Sequence, residues 1–463
     1  MEALYNIIAE LCSYIIHSCT EDFFVQYSCV ASSEKTRVEN LVRSKLPVLF
    51  RSDGGVTHTL ADRECNELFY TTLLTLIEEL KEKSDFFGIM GVTQILDEAL
   101  ENELKQKTLE FQKEDFSVVL NTNREITQIG LLPRCSCWWE RKRRLSHCYN
   151  RLDNFLFNFL LMENSILGEL IDRHYYLPQT LFPNFISSRS LKIAASPLRL
   201  ERNFDIHAFS EDKVQYFKID YPEKNYSGDN ELIWNKILDS AKNECDIIVF
   251  PEMLGNPEMT DFVQGKIEGL KKDDAELAAK IPSMIILPSF WEKRRNTVTI
   301  LDKNGNLLCR QAKQNPFRAE SGGHGYLEGI VPSRVVNIFH YEGIGRIAIL
   351  ICKDFLTTRY MEQLMRCFKL TLIIVPSFST GSYDFLRSFD LCAHDDCNVV
   401  WINTCAAMES NKKSNFEYVG YVRKRISRFD DEGQQLRKMP ICPTAFDGKC
   451  GHDCIFYETI ESV

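Results

Sequence analysis

The sequence predicts a layered α/β domain that follows a mainly α-helical region. Before about residue 190, apolar residues recur three and four positions apart with charged residues between them, the spacing of helices that bury one face. After it, short β-branched runs bounded by Pro, Gly, Asn or Asp alternate with helical stretches. We therefore expect a helical domain at 1–185 and an α/β domain at 190–463.

Length and composition limit the classes of protein that this chain can represent. A chain of 463 residues exceeds one typical domain and can bury a large core. Its net charge of −10 argues against a non-specific nucleic-acid binder. Glu2 lies where a secretory signal would be basic, and no apolar run is long enough for a membrane span. With 17 irregularly spaced cysteines, the pattern favours a reducing compartment and a cytoplasmic protein.

The N-terminal region has strong helical periodicity but no catalytic cluster. Helices are predicted at 4–16, 67–83 and 151–173. This region could cover a pocket, mediate oligomerisation or bind a protein partner. The segment 135–144 places two tryptophans beside basic residues, a combination that can bind single-stranded nucleic acid. In an acidic chain we favour a solvated basic helix face with the tryptophans in the core, and we expect no nucleic-acid partner.

The C-terminal region reads as strands alternating with helices. Most strand-like runs are continuously apolar, as expected where helices or a second sheet cover both faces. The predicted strands lie at 191–198, 245–253, 283–291, 296–305, 347–355, 370–378 and 398–405, and the predicted helices at 230–243, 273–281, 360–369 and 385–396. An antiparallel hairpin is predicted to turn at Asn304-Gly305, so the sheet should be mixed.

Three reactive residues stand at or just after the ends of these runs. Glu252 follows Ile247–Pro251, Cys352 closes Ile347–Ile351, and Lys313 follows the second strand of the hairpin. Functional groups of α/β proteins gather at the carboxyl ends of strands, where loops vary on a rigid sheet. We therefore expect the three side chains to converge.

Their chemistry fits attack on a carbon–nitrogen bond. Cys352 would be the nucleophile, which needs a base or a nearby cation to become a thiolate. Glu252 would take the thiol proton and return it to the leaving amine. Lys313 would stabilise the thiolate and the oxyanion, with the backbone N–H of Lys353 as a second oxyanion donor. The predicted reaction is acyl transfer through a thioester, with water as the final acceptor.

These contexts resemble those of the nitrilase superfamily of carbon–nitrogen hydrolases. The family's glutamate occurs in Pro-Glu after a strand, its lysine after a hairpin, and its cysteine in Cys-x-Asp at a strand end. Two later strands of the family end in proline and asparagine. The matching positions here, collinear over roughly 191–440, are Glu252, Asn296, Gly305, Lys313, Cys352, Pro376 and Asn403.

The resemblance implies a fold and further site residues. It implies a four-layer α-β-β-α sandwich that usually dimerises through helices near the cysteine, and it implies no cofactor. Family members often have a second glutamate between the lysine and the cysteine, which we assign to Glu320, with Glu328 as the alternative. Lys353 stands where an aromatic residue is usual.

The sequence leaves the substrate and two further features open. A small-molecule amide is the favoured substrate, with a carbamoylated amine or a nitrile as alternatives. The same fold could instead serve an inactive, ligand-sensing regulatory protein, or the thioester could pass its acyl group to an amine. We expect a catalytic Cys352 to have a depressed thiol pKa, which would argue against the sensor. The glycine-rich stretch at 321–325, with His324, is either a lid that touches substrate or a plain flexible loop.

Four soft ligands near the C-terminus could bind zinc. They are Cys442, Cys450, His452 and Cys454. Their spacing lacks a Cys-x-x-Cys pair, so we favour a cysteine-rich tail without a metal.

Overall fold

The N-terminal region begins with six helices that pack around their own apolar core. The computed structural model describes residues 1–140, 151–198, 201–222, 226–408, 417–425, 435–442, 445 and 454–461. The first helices are α1 Glu2–Ser18, α2 Glu21–Ser28, α3 Ser32–Lys45, α4 Glu67–Glu82, α5 Phe86–Ala99 and α6 Glu101–Phe111. The helices predicted at 4–16 and 67–83 are confirmed as α1 and α4. Asn66 caps α4, since its side chain accepts the Phe69 N–H.

The helix predicted at 151–173 is wrong. The chain there forms two strands joined by a short helix, within the series α7 Arg124–Thr127, β1 Ile129–Pro133, β2 Phe159–Glu163, α8 Asn164–Leu167, β3 Ile171–Tyr176 and α9 Pro183–Ser188. Strand β2 pairs antiparallel with β1. The buried Asp97 carboxylate accepts the backbone N–H groups of Phe157, Asn158 and Phe159. These N–H groups are therefore bonded to Asp97 and not to the carbonyls of a preceding helical turn. Long-range pairing therefore outweighs the local periodicity.

The C-terminal region alternates strands and helices in the predicted manner. Its elements begin with β4 Ser190–Ala195, β5 Asp205–Glu211, β6 Val214–Asp220, α10 Ser227–Lys242, β7 Ile247–Val249, α11 Met259–Asp273, α12 Ala275–Ala279, β8 Met284–Ile286, β9 Phe290–Glu292, β10 Arg295–Asp302, β11 Leu307–Ala312, β12 Arg318–Ser321 and β13 His324–Glu328. They continue with β14 Val335–Tyr341, β15 Gly345–Ile349, α13 Lys353–Leu356, α14 Thr358–Phe368, β16 Leu372–Pro376, α15 Tyr383–His394, β17 Asn398–Ile402, β18 Tyr418–Arg423, β19 Leu436–Pro440 and β20 Phe456–Glu461.

These strands form two large mixed sheets. One has the order β11-β10-β8-β7-β4-β20, with β9 paired to β10, and the other has the order β19-β18-β17-β16-β15-β14-β3. In the first sheet β4, β7 and β8 run parallel, whereas β10 and β11 form the predicted antiparallel hairpin. Gly305 in its turn has a φ of 83°, which glycine adopts without steric cost.

The two sheets pack face to face with helices outside, so the predicted four-layer α-β-β-α sandwich is confirmed. Alternation along β7 shows the layering. Ile247 and Val249 join the core shared with the second sheet, whereas Ile248 joins the core beneath α10 and α11. On the other side, α14 and α15 bury their apolar faces against the second sheet.

The N-terminal region is attached directly to the second sheet. Strand β3 pairs parallel with β14, so this sheet begins before the boundary expected near residue 190. Helix α14 is contacted by β2 and α8. The Gln363 side chain donates to the carbonyl of Ile166, and the Lys369 ammonium donates to the Asn154 side chain. The chain's own N-terminal residues thus occupy a face of α14, one of the helices through which the resemblance implied a dimer.

A small third sheet lies beside these layers, with the order β12-β13-β6-β5. The glycine-rich stretch at 321–325, expected to be a lid or a flexible loop, belongs to the β12–β13 hairpin, with its turn at Gly322 and Gly323. Gly322 and Gly323 supply its positive φ angles of 59° and 79°. Among the helices in the described ranges, none is long and apolar enough to cross a membrane.

Candidate active site

A buried lysine bridges two buried glutamates at the strand ends. Lys313 Nζ lies 2.8 Å from Glu252 Oε1 and 2.8 Å from Glu328 Oε2. All three side chains are at most 1% exposed. Glu252 stands three residues beyond β7, Lys313 directly follows β11, and Glu328 is the last residue of β13. Ion pairs buried this deeply need close geometry to offset their lost hydration, and this cluster has it.

Glu252 accepts hydrogen bonds at both carboxylate oxygens. Besides Lys313, Asn296 Nδ2 donates to its Oε1 at 2.8 Å and the Phe378 N–H donates to its Oε2 at 2.9 Å. Burial raises the pKa of Glu252, although Lys313 acts in the opposite direction. Burial alone would lower the pKa of Lys313, but the carboxylates of Glu252 and Glu328 outweigh it and raise that pKa well above its usual range. Lys313 is therefore a permanent ammonium at neutral pH.

Cys352 stands at a sharp turn between β15 and α13. Its backbone has a φ of 47° and a ψ of −98°, a conformation that L-residues rarely adopt. Its N–H donates to the carbonyl of Pro376 at 2.9 Å, and the residue is 4% exposed. Burial, followed by the charge of Glu252, raises the pKa of the Cys352 thiol, while Lys313 and the Phe378 N–H act to lower it. The depressed pKa expected from the sequence is not found, because burial outweighs the single cation.

The turn predicts an unusual order of stability among variants of Cys352. A side chain at this φ is strained, so we expect Cys352→Gly to be more stable than Cys352→Ala by about 1–2 kcal/mol. Urea unfolding of both variants measures the difference. Cys367, within α14, is the matched control, where alanine should be more stable than glycine by about 1 kcal/mol. If alanine were more stable than glycine at position 352 as well, the turn would be shown to be unstrained.

Asp354 is a site residue that the sequence analysis used only as part of a motif. Its buried carboxylate accepts the backbone N–H groups of Gln314 and Asn315, at 3.0 and 2.7 Å, and the side-chain amide of Asn315. Burial raises the pKa of Asp354 to about 7. Asp354 thereby fastens the chain that follows Lys313 to the helix that follows Cys352. Its place two residues after Cys352, in the Cys-x-Asp motif, is the signal that the sequence offers.

Glu320 does not lie in the cluster, which corrects its assignment as the second glutamate. It lies on β12, where its side chain is 70% exposed and paired with Arg318 at 2.7 Å. The alternative, Glu328, occupies the position next to Lys313. The reason is geometric: the β12–β13 hairpin folds back, so that its last residue, and not its third, reaches the strand ends.

The two residues assigned to the oxyanion and substrate loop lie in different settings. Lys353 is the first residue of α13, so its backbone N–H has no partner within that helix. His324 is exposed on the β12–β13 hairpin, and no contact among the described residues brings it to the cluster.

Parts of the remaining predictions fall outside the described residues. Cys450 and His452 of the considered zinc site lie there, and the described ranges contain no group of metal-ligating side chains. The basic residues 141–144 also lie outside them. Trp139 is buried, as expected, and donates to the carbonyl of Thr371 at 3.2 Å.

A cavity of about 700 Å³ is lined by residues that follow the reactive positions in sequence and by Glu417, Tyr418, Tyr421 and Lys438. The reactive side chains themselves are not among the residues that line it. Phe317 comes after Lys313, Leu356 comes after Cys352, and 379–386 follow Phe378. The cavity has the volume of a small-molecule site.

Comparison with known proteins finds similarity of structure and none of sequence. No family model matches the chain, and no curated protein matches it. An amidase from Nesterenkonia sp. aligns with a TM-score of 0.36 at 12% identity, covering 59% of this chain and 90% of that chain. A variant of the amidase from Nesterenkonia sp. AN1, with the acetamide moiety of fluoroacetamide added covalently at its active-site cysteine, aligns with a TM-score of 0.36 at 14% identity, covering 59% and 91%. The C. elegans NitFhit protein aligns with a TM-score of 0.36 at 15% identity, covering 59% and 61%.

These matches concern the fold alone. The resemblance to the nitrilase superfamily lies in the sequence motifs, and these alignments, with TM-scores of 0.36, add no argument to it. What the site does has to be argued from its own geometry.

Proposed function

We propose that this protein is a thiol-dependent hydrolase of a non-peptide carbon–nitrogen bond, with a small-molecule amide as the favoured substrate. The observation that carries the proposal is the buried cluster of Glu252, Lys313 and Glu328, coupled electrostatically to a cysteine at a strained turn. A nucleophile, a proton acceptor and a fixed cation are the groups that acyl transfer requires.

The reaction follows from the protonation states. Cys352 gives its proton to Glu252 as Sγ attacks the substrate carbonyl, and the oxyanion meets Lys313 Nζ and the Lys353 N–H. Glu252 then protonates the nitrogen, the carbon–nitrogen bond breaks, and the amine or ammonia leaves a thioester. Water attacks the thioester with Glu252 as the base, which releases the acid and returns the proton to Cys352.

The pKa directions support this assignment. A raised pKa makes Glu252 a stronger proton acceptor than an exposed carboxylate, closer to the strength that general-base catalysis at neutral pH needs. Lys313 stays charged throughout and so stabilises negative charge without exchanging a proton. The raised pKa of the Cys352 thiol is the one observation that favours a ligand sensor on the same fold, since a resting thiol of this kind is unreactive without its base.

Turnover and labelling of the full-length protein test the proposal. A panel of primary amides, carbamoylated amines and nitriles is assayed for the amine or ammonia released. We expect Cys352→Ala to lower turnover by roughly 10³-fold or more, because the thioester cannot form. A haloacetamide should add once, at Cys352, as measured by intact mass and peptide mapping.

Cys367→Ala is the matched control, since Cys367 is equally buried but lies on α14 at the contact with the N-terminal region. It should keep both turnover and labelling. Turnover that survives in Cys352→Ala, or labelling confined to other cysteines, would contradict the proposal and favour the sensor.

A further inference from the structure

Asn296 touches each member of the buried ion cluster. It lies on β10 and is 1% exposed. Its Nδ2 is 2.8 Å from Glu252 Oε1 and 3.5 Å from Glu328 Oε1. Its backbone carbonyl accepts the N–H of Lys313 at 2.8 Å. One residue thus contacts the proposed base, the supporting carboxylate and the chain that carries the cation.

The orientation of the Asn296 amide follows from its neighbours. Ionised carboxylates only accept hydrogen bonds, so the amide must turn its NH₂ toward Glu252 and Glu328. Its Oδ1 is then left buried, and among the described residues it has no hydrogen-bond partner. A buried acceptor without a partner is unfavourable. The contact with the two carboxylates therefore fixes the side chain despite this cost.

We propose that Asn296 is a positioning residue for the base, and this inference rests on the proposed function. It donates to the oxygen of Glu252 that also receives Lys313, and so favours the ionised carboxylate that accepts the thiol proton. Its NH₂ group also lies between the carboxylates of Glu252 and Glu328, whose mutual repulsion is otherwise offset by the Lys313 ammonium that bridges them.

Loss of this donor should move the pH at which Cys352 becomes reactive. A hydrogen bond to the charged form lowers a carboxyl pKa, so its removal raises the pKa of Glu252. Glu252 is then protonated up to a higher pH. The acidic limb of the pH–rate profile, where the rate of reaction at Cys352 falls as pH decreases, therefore shifts to higher pH. Asn296→Ser removes the donor, and Asn296→Asp replaces it by a third carboxylate of the same shape, which should shift the limb further.

The probe is a haloacetamide on the full chain, with the rate of Cys352 alkylation measured by intact mass from pH 5 to pH 9. We expect the acidic limb to rise by about one pH unit or more in Asn296→Ser, which is about a tenfold slower reaction on that limb. Michaelis parameters, once a substrate is found, should show the loss in kcat more than in KM, because Asn296 acts through Glu252.

Asn337 is the matched control. It is also a buried asparagine whose Oδ1 has no hydrogen-bond partner within the described part of the chain. Its Nδ2, however, donates to the Arg310 carbonyl and the Gln311 side chain, outside the cluster. Asn337→Ser should leave the acidic limb in place, although both serine variants lose stability. An unshifted limb in both Asn296 variants, with a reactive wild type, overturns this inference alone. A wild type that does not react at Cys352 overturns the proposed function and this inference together.

Discussion

Replacing Lys313 by methionine is expected to lower the free energy of unfolding by about 3–5 kcal/mol, because it leaves two buried carboxylates without their cation. Lys313 Nζ contacts both Glu252 and Glu328, and neither carboxylate is more than 1% exposed. Turnover should also fall by roughly 10³-fold, since the oxyanion loses its fixed charge. Circular dichroism during urea unfolding measures the first effect, and the amide assay measures the second.

The loss should depend on pH in a defined direction. Without Lys313, the charge that lowers the pKa of Glu252 is lost and repulsion from Glu328 remains, so the folded-state pKa of Glu252 rises further above the unfolded value of about 4.3. Between those two pKa values the folded state holds a proton that the unfolded state has lost, so stability falls as pH rises. The loss of unfolding free energy in Lys313→Met, relative to wild type, should therefore be larger at pH 8 than at pH 5.

Two further variants complete this test. Adding Glu328→Gln to Lys313→Met removes one unpaired charge and should recover part of the lost stability. Lys266→Met, which breaks the exposed ion pair with Glu231, should change stability by at most about 0.5 kcal/mol. Equal losses in Lys313→Met and Lys266→Met, at both pH values, would show that the cluster is not buried as described.

Convergence of the three reactive side chains could be predicted because each stands at or just after the end of a predicted strand. A strand that leads straight to a polar residue brings that residue to the edge of its sheet, whatever the rest of the chain does. Glu252, Lys313 and Cys352 all satisfy this condition. Glu328 does not, because its position depends on how the β12–β13 hairpin folds back and on its parallel pairing with β6. Local sequence carries neither fact, so it does not distinguish Glu328 from Glu320.

The same distinction explains the N-terminal region. Helices α1 and α4 were predictable, since their apolar faces appear as a period in the local sequence. Within 151–173 the residues 155–162 are apolar at every position except Asn158, and such a run fits a buried strand as well as a helix. Its partner strand β1 and the Asp97 carboxylate that fixes its entry are both distant in sequence. Pairing of β3 with β14 is more distant still.

Arg346 joins this N-terminal region to the strand that leads to Cys352. We expect Arg346→Met to lower the free energy of unfolding by about 3–5 kcal/mol. The guanidinium is fully buried on β15. It donates to the carbonyls of Cys135 and Lys369, at 3.0 and 2.7 Å, and to the Glu140 carboxylate at 3.0 Å. Methionine fills similar space but leaves these acceptors without that donor. Urea unfolding measures the loss, and hydrogen exchange at 135–140 locates it.

Arg334→Met is the matched control, because Arg334 pairs with Glu169 at the surface and should contribute less than about 1 kcal/mol. If Arg346 joins the two regions, its loss should also speed exchange at the Trp138 N–H, which donates to the carbonyl of Gly343 just before β15. A loss of stability without faster exchange at 135–140 would show that Arg346 stabilises the second sheet but does not join the N-terminal region to it. Faster exchange there would mean that a buried charge holds residues 135–140 to the sheet that carries Cys352. This part of the N-terminal region would then help to support the candidate site.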